Sequence, residues 1–117
     1  MRNIREVVHA LGTREGVEAA ILLGRDGLTI DSHVASGLDT DSVAALVPSV
    51  VDACTRLGAE GGRRGITTSV TEYANGLAIV AQITPEALLA ILVRRGTNVG
   101  SLLYDLRRHR TAIAALL

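Results

Sequence analysis

ALLAILVRRGTNVG, residues 87–100, is the stretch on which the fold turns. Ala87 to Val93 is continuously apolar, so neither side of that run has a polar face to offer water. This marks a strand buried on both faces and central in its sheet. Arg94-Arg95-Gly96 ends the run. Thr97 or Asn98 then caps a helix whose apolar positions Val99, Leu102, Leu103, Leu106, Ile113, Ala114 and Leu117 fall on one side.

Working backwards, Thr84-Pro85-Glu86 separates this strand from another over Leu77 to Ile83, and Asn75-Gly76 is a hairpin turn. Ile66 to Tyr73 alternates with many threonines, as an edge strand does. GGRRG, residues 61–65, is a loop. Before it lies a helix capped by Asp39 or Thr40, with Val43, Leu46, Val47, Val50, Cys54 and Leu57 as its apolar stripe, ending at Gly58 or at Gly61-Gly62. Pro48 predicts a kink, or a helix that begins there. At about 100° per residue the stripe, counting Val51 and Ala53, spans about 160°, more than a helix needs to cover a sheet. The excess flank requires a second partner. The outer face carries Ala45, Ser49, Asp52, Thr55 and Arg56.

LLGRDGLTI, residues 22–30, joins the run Val17 to Leu23 to the alternating stretch Leu28 to His33. Asp-Gly between two strand patterns predicts a tight hairpin turn, with Arg25 and Asp26 solvated at its tip. A phosphate loop would need G-x-x-x-x-G-K-[ST] and a dinucleotide loop G-x-G-x-x-G; neither is present. Ile4, Val7, Val8 and Leu11 make a first amphipathic helix that stops at Gly12. The expected order is α-β-β-α-β-β-β-α, an α/β (α+β) sandwich over one domain, residues 1–117.

Lys+Arg and Asp+Glu both number 12, so no net charge favours nucleic acid or an anionic membrane. All the basic residues are arginine, which removes Schiff-base lysine chemistry. One cysteine forms no internal disulfide and no cysteine-built zinc site. No signal-peptide core is seen and no uninterrupted apolar run reaches the ~18 residues of a membrane span, so a soluble cytoplasmic protein without cofactor or metal is expected. His9, His33 and His109 fall on separate elements and read as surface histidines. In Asp31-Ser32-His33 the neighbouring side chains of a strand point to opposite faces, so Ser32 and His33 cannot meet as nucleophile and base. Cys54 reads as a small buried hydrophobe. Arg110 falls on the apolar side of the last helix, and its charge is expected to snorkel or pair with a carboxylate. Residues 66–73 leave a row of amides unpaired with no proline or lysine to discourage association, and a second copy pairing there would also bury the spare flank of the second helix.

Nearly the whole sequence resembles the Roadblock/dynein light chain family and its MglB-like bacterial single-domain members. The matching stretches are VEAAILLGRDGLTIDSH, TRLGAE, TTSVTEYANGLAIVAQI and ALLAILVRRGTNVGSLLYDLRRHRTAIAALL, with the T-N-x-G step between last strand and last helix. The resemblance implies a five-stranded antiparallel sheet between one helix and a pair of helices. It also implies a homodimer formed through the third strand and second helix, where Val47, Val51, Ile66, Thr68 and Val70 would meet. It further implies regulation of a small Ras-like GTPase without catalysis by the chain itself. Asp39, Asp41, Ser49, Asp52 and Arg56, with Arg63 and Arg64, are the expected partner-binding residues. A light-chain-like scaffold and, less well suited to an alanine-rich core without Phe or Trp, a small-ligand sensor are the alternatives.

Overall fold

The computed structural model describes residues 3–35 and 37–117. Its elements follow the expected order: α1 (Ile4–Gly12), β1 (Val17–Gly24), β2 (Thr29–Val34), α2 (Thr40–Glu60), β3 (Thr68–Tyr73), β4 (Gly76–Thr84), β5 (Ala87–Arg94) and α3 (Val99–Ala114). The five strands form one antiparallel sheet in the order β2-β1-β5-β4-β3. β5 is thus central, as its unbroken apolar run requires, and β2 and β3 are the two edges.

Side-chain alternation divides the core in two. Ala20 and Leu22 of β1, Ile79 and Ala81 of β4, and Leu89 and Ile91 of β5 lie under α1 and α3 with Val7, Val8, Leu102, Leu106 and Ile113. Ala19, Ile21, Leu23, Val80, Leu88 and Ala90 lie on the other face against Ala44, Val47 and Val51 of α2. The architecture is therefore one helix on one face and two on the other. Leu117 departs from expectation: it stands beyond the end of α3 and is exposed.

Both hairpin turns form, though not in the way their sequences suggest. Between β1 and β2, the Gly27 amide donates to Gly24 O at 2.9 Å and the Gly24 amide to Leu28 O at 2.9 Å. Gly27 alone takes a positive φ, at +84°. This is the bonding of a three-residue loop closed by a glycine bulge. Asp26 Oδ1 accepts the Leu28 amide at 3.0 Å, which fixes the loop from within. Between β3 and β4 the two turn residues are Ala74 and Asn75, because Tyr73 pairs with Gly76 as the first residue of β4.

α2 runs unbroken from Thr40 to Glu60, so Pro48 neither begins nor ends it. Pro48 has no amide for the Ala44 carbonyl. That oxygen lies against the hairpin loop, where a Cβ on Gly27 would sit 3.7 Å from it and 3.5 Å from Ala45 Cα. By length and composition alone α2 suits a membrane span, with a mean hydropathy of 1.2 over its best window. One of its faces is instead the roof of the second core.

Candidate docking surface

α2 begins on Asp39, whose Oδ1 accepts the Ser42 amide at 3.2 Å and whose Oδ2 accepts the Ser42 hydroxyl at 2.7 Å. The hydroxyl bond first, then the Ser42 and Asp41 amides, holds the Asp39 carboxyl below the usual carboxylate range. Asp39 is therefore the helix cap before it is anything else. A group whose folded pKa is depressed contributes stability that is present above the unfolded value of about 3.9 and lost as pH falls through the folded one. Asp39→Ala should lower the melting temperature by a few degrees at pH 7. The gap from wild type should close below about pH 4, as a melting series over pH 2–7 would show.

Positions along α2 rotate by about 100°, and the helix presents three faces. The first, with Ala44, Val47 and Val51, is buried against the sheet. Val47 is 5% exposed and Val51 1% exposed, so neither is free to meet a second copy. That corrects the expectation from sequence, and the reason is steric: both side chains are spent on the protein's own core.

The second face is apolar and open. Leu46, Val50, Ala53 and Leu57 stand at i, i+4, i+7 and i+11, with Leu46 68% and Leu57 75% exposed. Cys54, beside them, has its Sγ 4.0 Å from Ser69 Oγ of β3, so this stripe lies on the side of α2 toward the free β3 edge. Cys54 is only half-buried. Ser69 pairs with Val80 of the α2-side core, which places Ser69, Thr71 and the exposed Tyr73 on the same side as the stripe. Thr68 and the exposed Val70 alternate to the opposite side, and Ile66 packs under α2 before β3 begins. Leu46, Val50 and Leu57 were legible in the sequence only as members of a stripe too wide for one sheet. Which flank was spare depends on how the helix is rotated, and the sequence does not state that.

The third face is polar and collects Asp41, Ser49, Asp52 and Arg56, all exposed. The β1–β2 loop is tied to it. Thr29 Oγ1 donates to Asp41 Oδ1 at 3.1 Å, and Arg25 Nη2 lies 3.4 Å from Asp52 Oδ1. Arg25 thus joins this face, although its sequence setting suggested only a solvated tip. The Arg25 amide also donates to Glu86 O at 2.9 Å, which anchors the loop to the β4–β5 turn. Arg63 and Arg64 stand past the far end of α2, and Arg63 Nη1 donates to Gly61 O at 2.5 Å.

Elsewhere, Arg110, expected to snorkel or pair with a carboxylate, has no carboxylate partner among the described residues, and its Nη2 donates to Thr67 O at 3.3 Å, just before β3. His9 and His33 come together in an edge-on ring contact with centroids 4.8 Å apart. Among the described residues no group of three or more His, Cys, Asp or Glu side chains could hold a metal ion. A surface cleft of about 550 Å³ lies between the α1–β1 loop and the start of α3, with Arg94 and Arg95 on its rim. Its third arginine is occupied, since Arg14 reaches Asp105 Oδ2 at 2.6 Å and Ser101 Oγ at 2.8 Å.

A five-stranded antiparallel sheet with a helix pair behind it and one helix in front, two of its three faces outward, defines a small α/β sandwich domain with one largely exposed helix. The chain belongs to the Roadblock/LC7 domain family, whose profile matches residues 3–93. It is 26% identical over 113 residues to an uncharacterised protein of Methanocaldococcus jannaschii, covering 97% of this chain and 95% of that protein. The Roadblock/LC7 domain from Streptomyces avermitilis superposes with a TM-score of 0.84 at 22% identity, over 95% of this chain and 94% of that one. The gliding protein MglB from Thermus thermophilus does so at 0.86 and 20%, over 97% and 87%. At these identities the structural likeness establishes the fold.

Proposed function

We propose that this chain is a homodimeric regulator of a small Ras-like GTPase and performs no chemistry of its own. The carrying observation is that α2 has two exposed faces of opposite character left after the first is buried. The apolar stripe of Leu46, Val50 and Leu57 beside the unpaired β3 suits a second copy, because one association covers the stripe and satisfies the edge amides together. The polar face of Asp41, Ser49, Asp52 and Arg56, with Arg25, then stays in water on both copies of the dimer and offers paired charges to a protein partner. Likeness to MglB and the family resemblance support a GTPase as that partner.

The test is GTP hydrolysis by the small GTPase encoded nearest this gene, with and without excess protein, alongside the mass of the mixture. Acceleration within a complex of defined mass is the expected result, and a complex without acceleration would identify a scaffold. Charge reversal at both positions, Asp52→Arg with Arg56→Asp, should weaken binding by roughly tenfold while leaving the dimer intact. Wild-type affinity in that variant would remove the polar face from the proposal.

A further inference from the structure

The two edges of the sheet are not equivalent. On β3 the pairing with β4 runs through six consecutive residue pairs without a shift. The Gln82 amide donates to Thr67 O, so by alternation Thr68, Val70 and Glu72 turn their amides away from β4. No side chain among the described residues bonds to those three amides, and the edge is open and evenly spaced.

On β2 the Ala35 amide donates to Glu18 O at 2.9 Å. Alternating back from there, His33 faces β1 while Ser32 and Val34 turn their amides outward. The Ser32 amide is already taken: Asp31 Oδ1 accepts it at 2.8 Å. The register with β1 also slips at this end, Leu22 pairing with Asp31 and Leu23 with Thr29, which leaves Ile30 as a bulge. Ile30 and Leu28 are nonetheless exposed apolar side chains, so this edge would otherwise attract strands.

We infer that Asp31 is a specificity residue for assembly, closing the β2 edge so that this chain self-associates through β3 alone. An incoming strand would have to displace the carboxylate from the Ser32 amide. It would then strand that charge beside its own backbone, and a second copy would bring a second Asp31 to the same seam. The bulge adds to the block by breaking the even spacing of donors that a partner strand needs. The assembly therefore ends at one seam per chain instead of extending from both edges. The single-seam reading rests on the dimer proposal, whereas closure of the β2 edge by Asp31 is judged apart from it.

The test is light-scattering mass for wild type, Asp31→Thr and Asp31→Ala, each checked by circular dichroism. The variants should show about a twofold or greater increase in mass over wild type at equal concentration. Adding Ser32→Pro to Asp31→Thr should return the mass to the wild-type value. Proline there deletes the outward amide, which makes no bond to β1, and so blocks the edge by another route. Aggregation reversed by Ser32→Pro supports the inference equally; aggregation that proline does not reverse overturns it, as does an unchanged mass in folded Asp31→Thr and Asp31→Ala. Wild type itself scatters as one chain if the dimer proposal is wrong, and Asp31 is then judged on whether its loss creates a dimer from that monomer.

Discussion

In the double variant Leu46→Arg/Leu57→Arg the light-scattering mass is expected to fall to that of a single chain, with the circular dichroism of the folded protein retained. Both leucines are more than two-thirds exposed in one copy, so replacing them removes almost nothing from its own core. Arginine keeps the helix propensity of leucine, and at position 57 it adds the basic last turn that α2 lacks. Burying a leucine side chain contributes about 1.5–3 kcal/mol, and a symmetric seam would bury two from each copy. Losing even half of that, and confronting like charges across the seam, should weaken association by roughly a thousandfold or more. Val47→Arg is the contrasting case. It stands one residue from Leu46 in sequence but on the buried face, and it should unfold the chain instead of separating two copies. A Leu46→Arg/Leu57→Arg protein that still scatters as a dimer would move the seam elsewhere.

That contrast also shows where sequence was enough and where it was not. Composition and periodicity placed every element, because a continuous apolar run, an alternating run and a 3.6-residue period each follow directly from which faces meet water. The excess width of the α2 stripe was visible too. Its division was not, since Leu46 and Val47 are equally apolar, and only the sheet beneath the helix decides which one turns inward. Pairings between distant positions were hidden for a similar reason. Arg110 with the Thr67 carbonyl, Arg25 with Asp52 and the contact of His9 with His33 each join elements far apart in the chain. No local spacing announces a partner of that kind. Among the partner-binding residues, Asp39 illustrates a role that sequence did give, as one of two candidate caps; its place in a partner surface rests on the proposal alone.

Glycine makes the same point, and the sharpest stability test follows from it. Asn75-Gly76 looks like a turn that needs a left-handed glycine, yet Gly76 has no positive φ and stands in β4 opposite Arg94. Its requirement is space: a Cβ there would collide with the carbonyl oxygen of Val93 in the central strand. That atom belongs to backbone held on both sides by the sheet and has nowhere to retreat. Gly76→Ala should therefore cost about 3 kcal/mol, a large share of the margin of a domain this size, and lower the melting temperature by roughly 10 °C. Gly100, exposed in the first turn of α3, meets only Asn98 Oδ1 at 3.7 Å, an ordinary contact. There the same one-carbon change reduces the freedom of the unfolded chain without a collision, and Gly100→Ala should raise stability by about 0.5–1 kcal/mol. Opposite signs for the two substitutions, read from urea midpoints, are what the packing requires. A harmless Gly76→Ala would mean that β4 and β5 are not locked in the register that sets the β3 edge, and with it the proposed dimer seam.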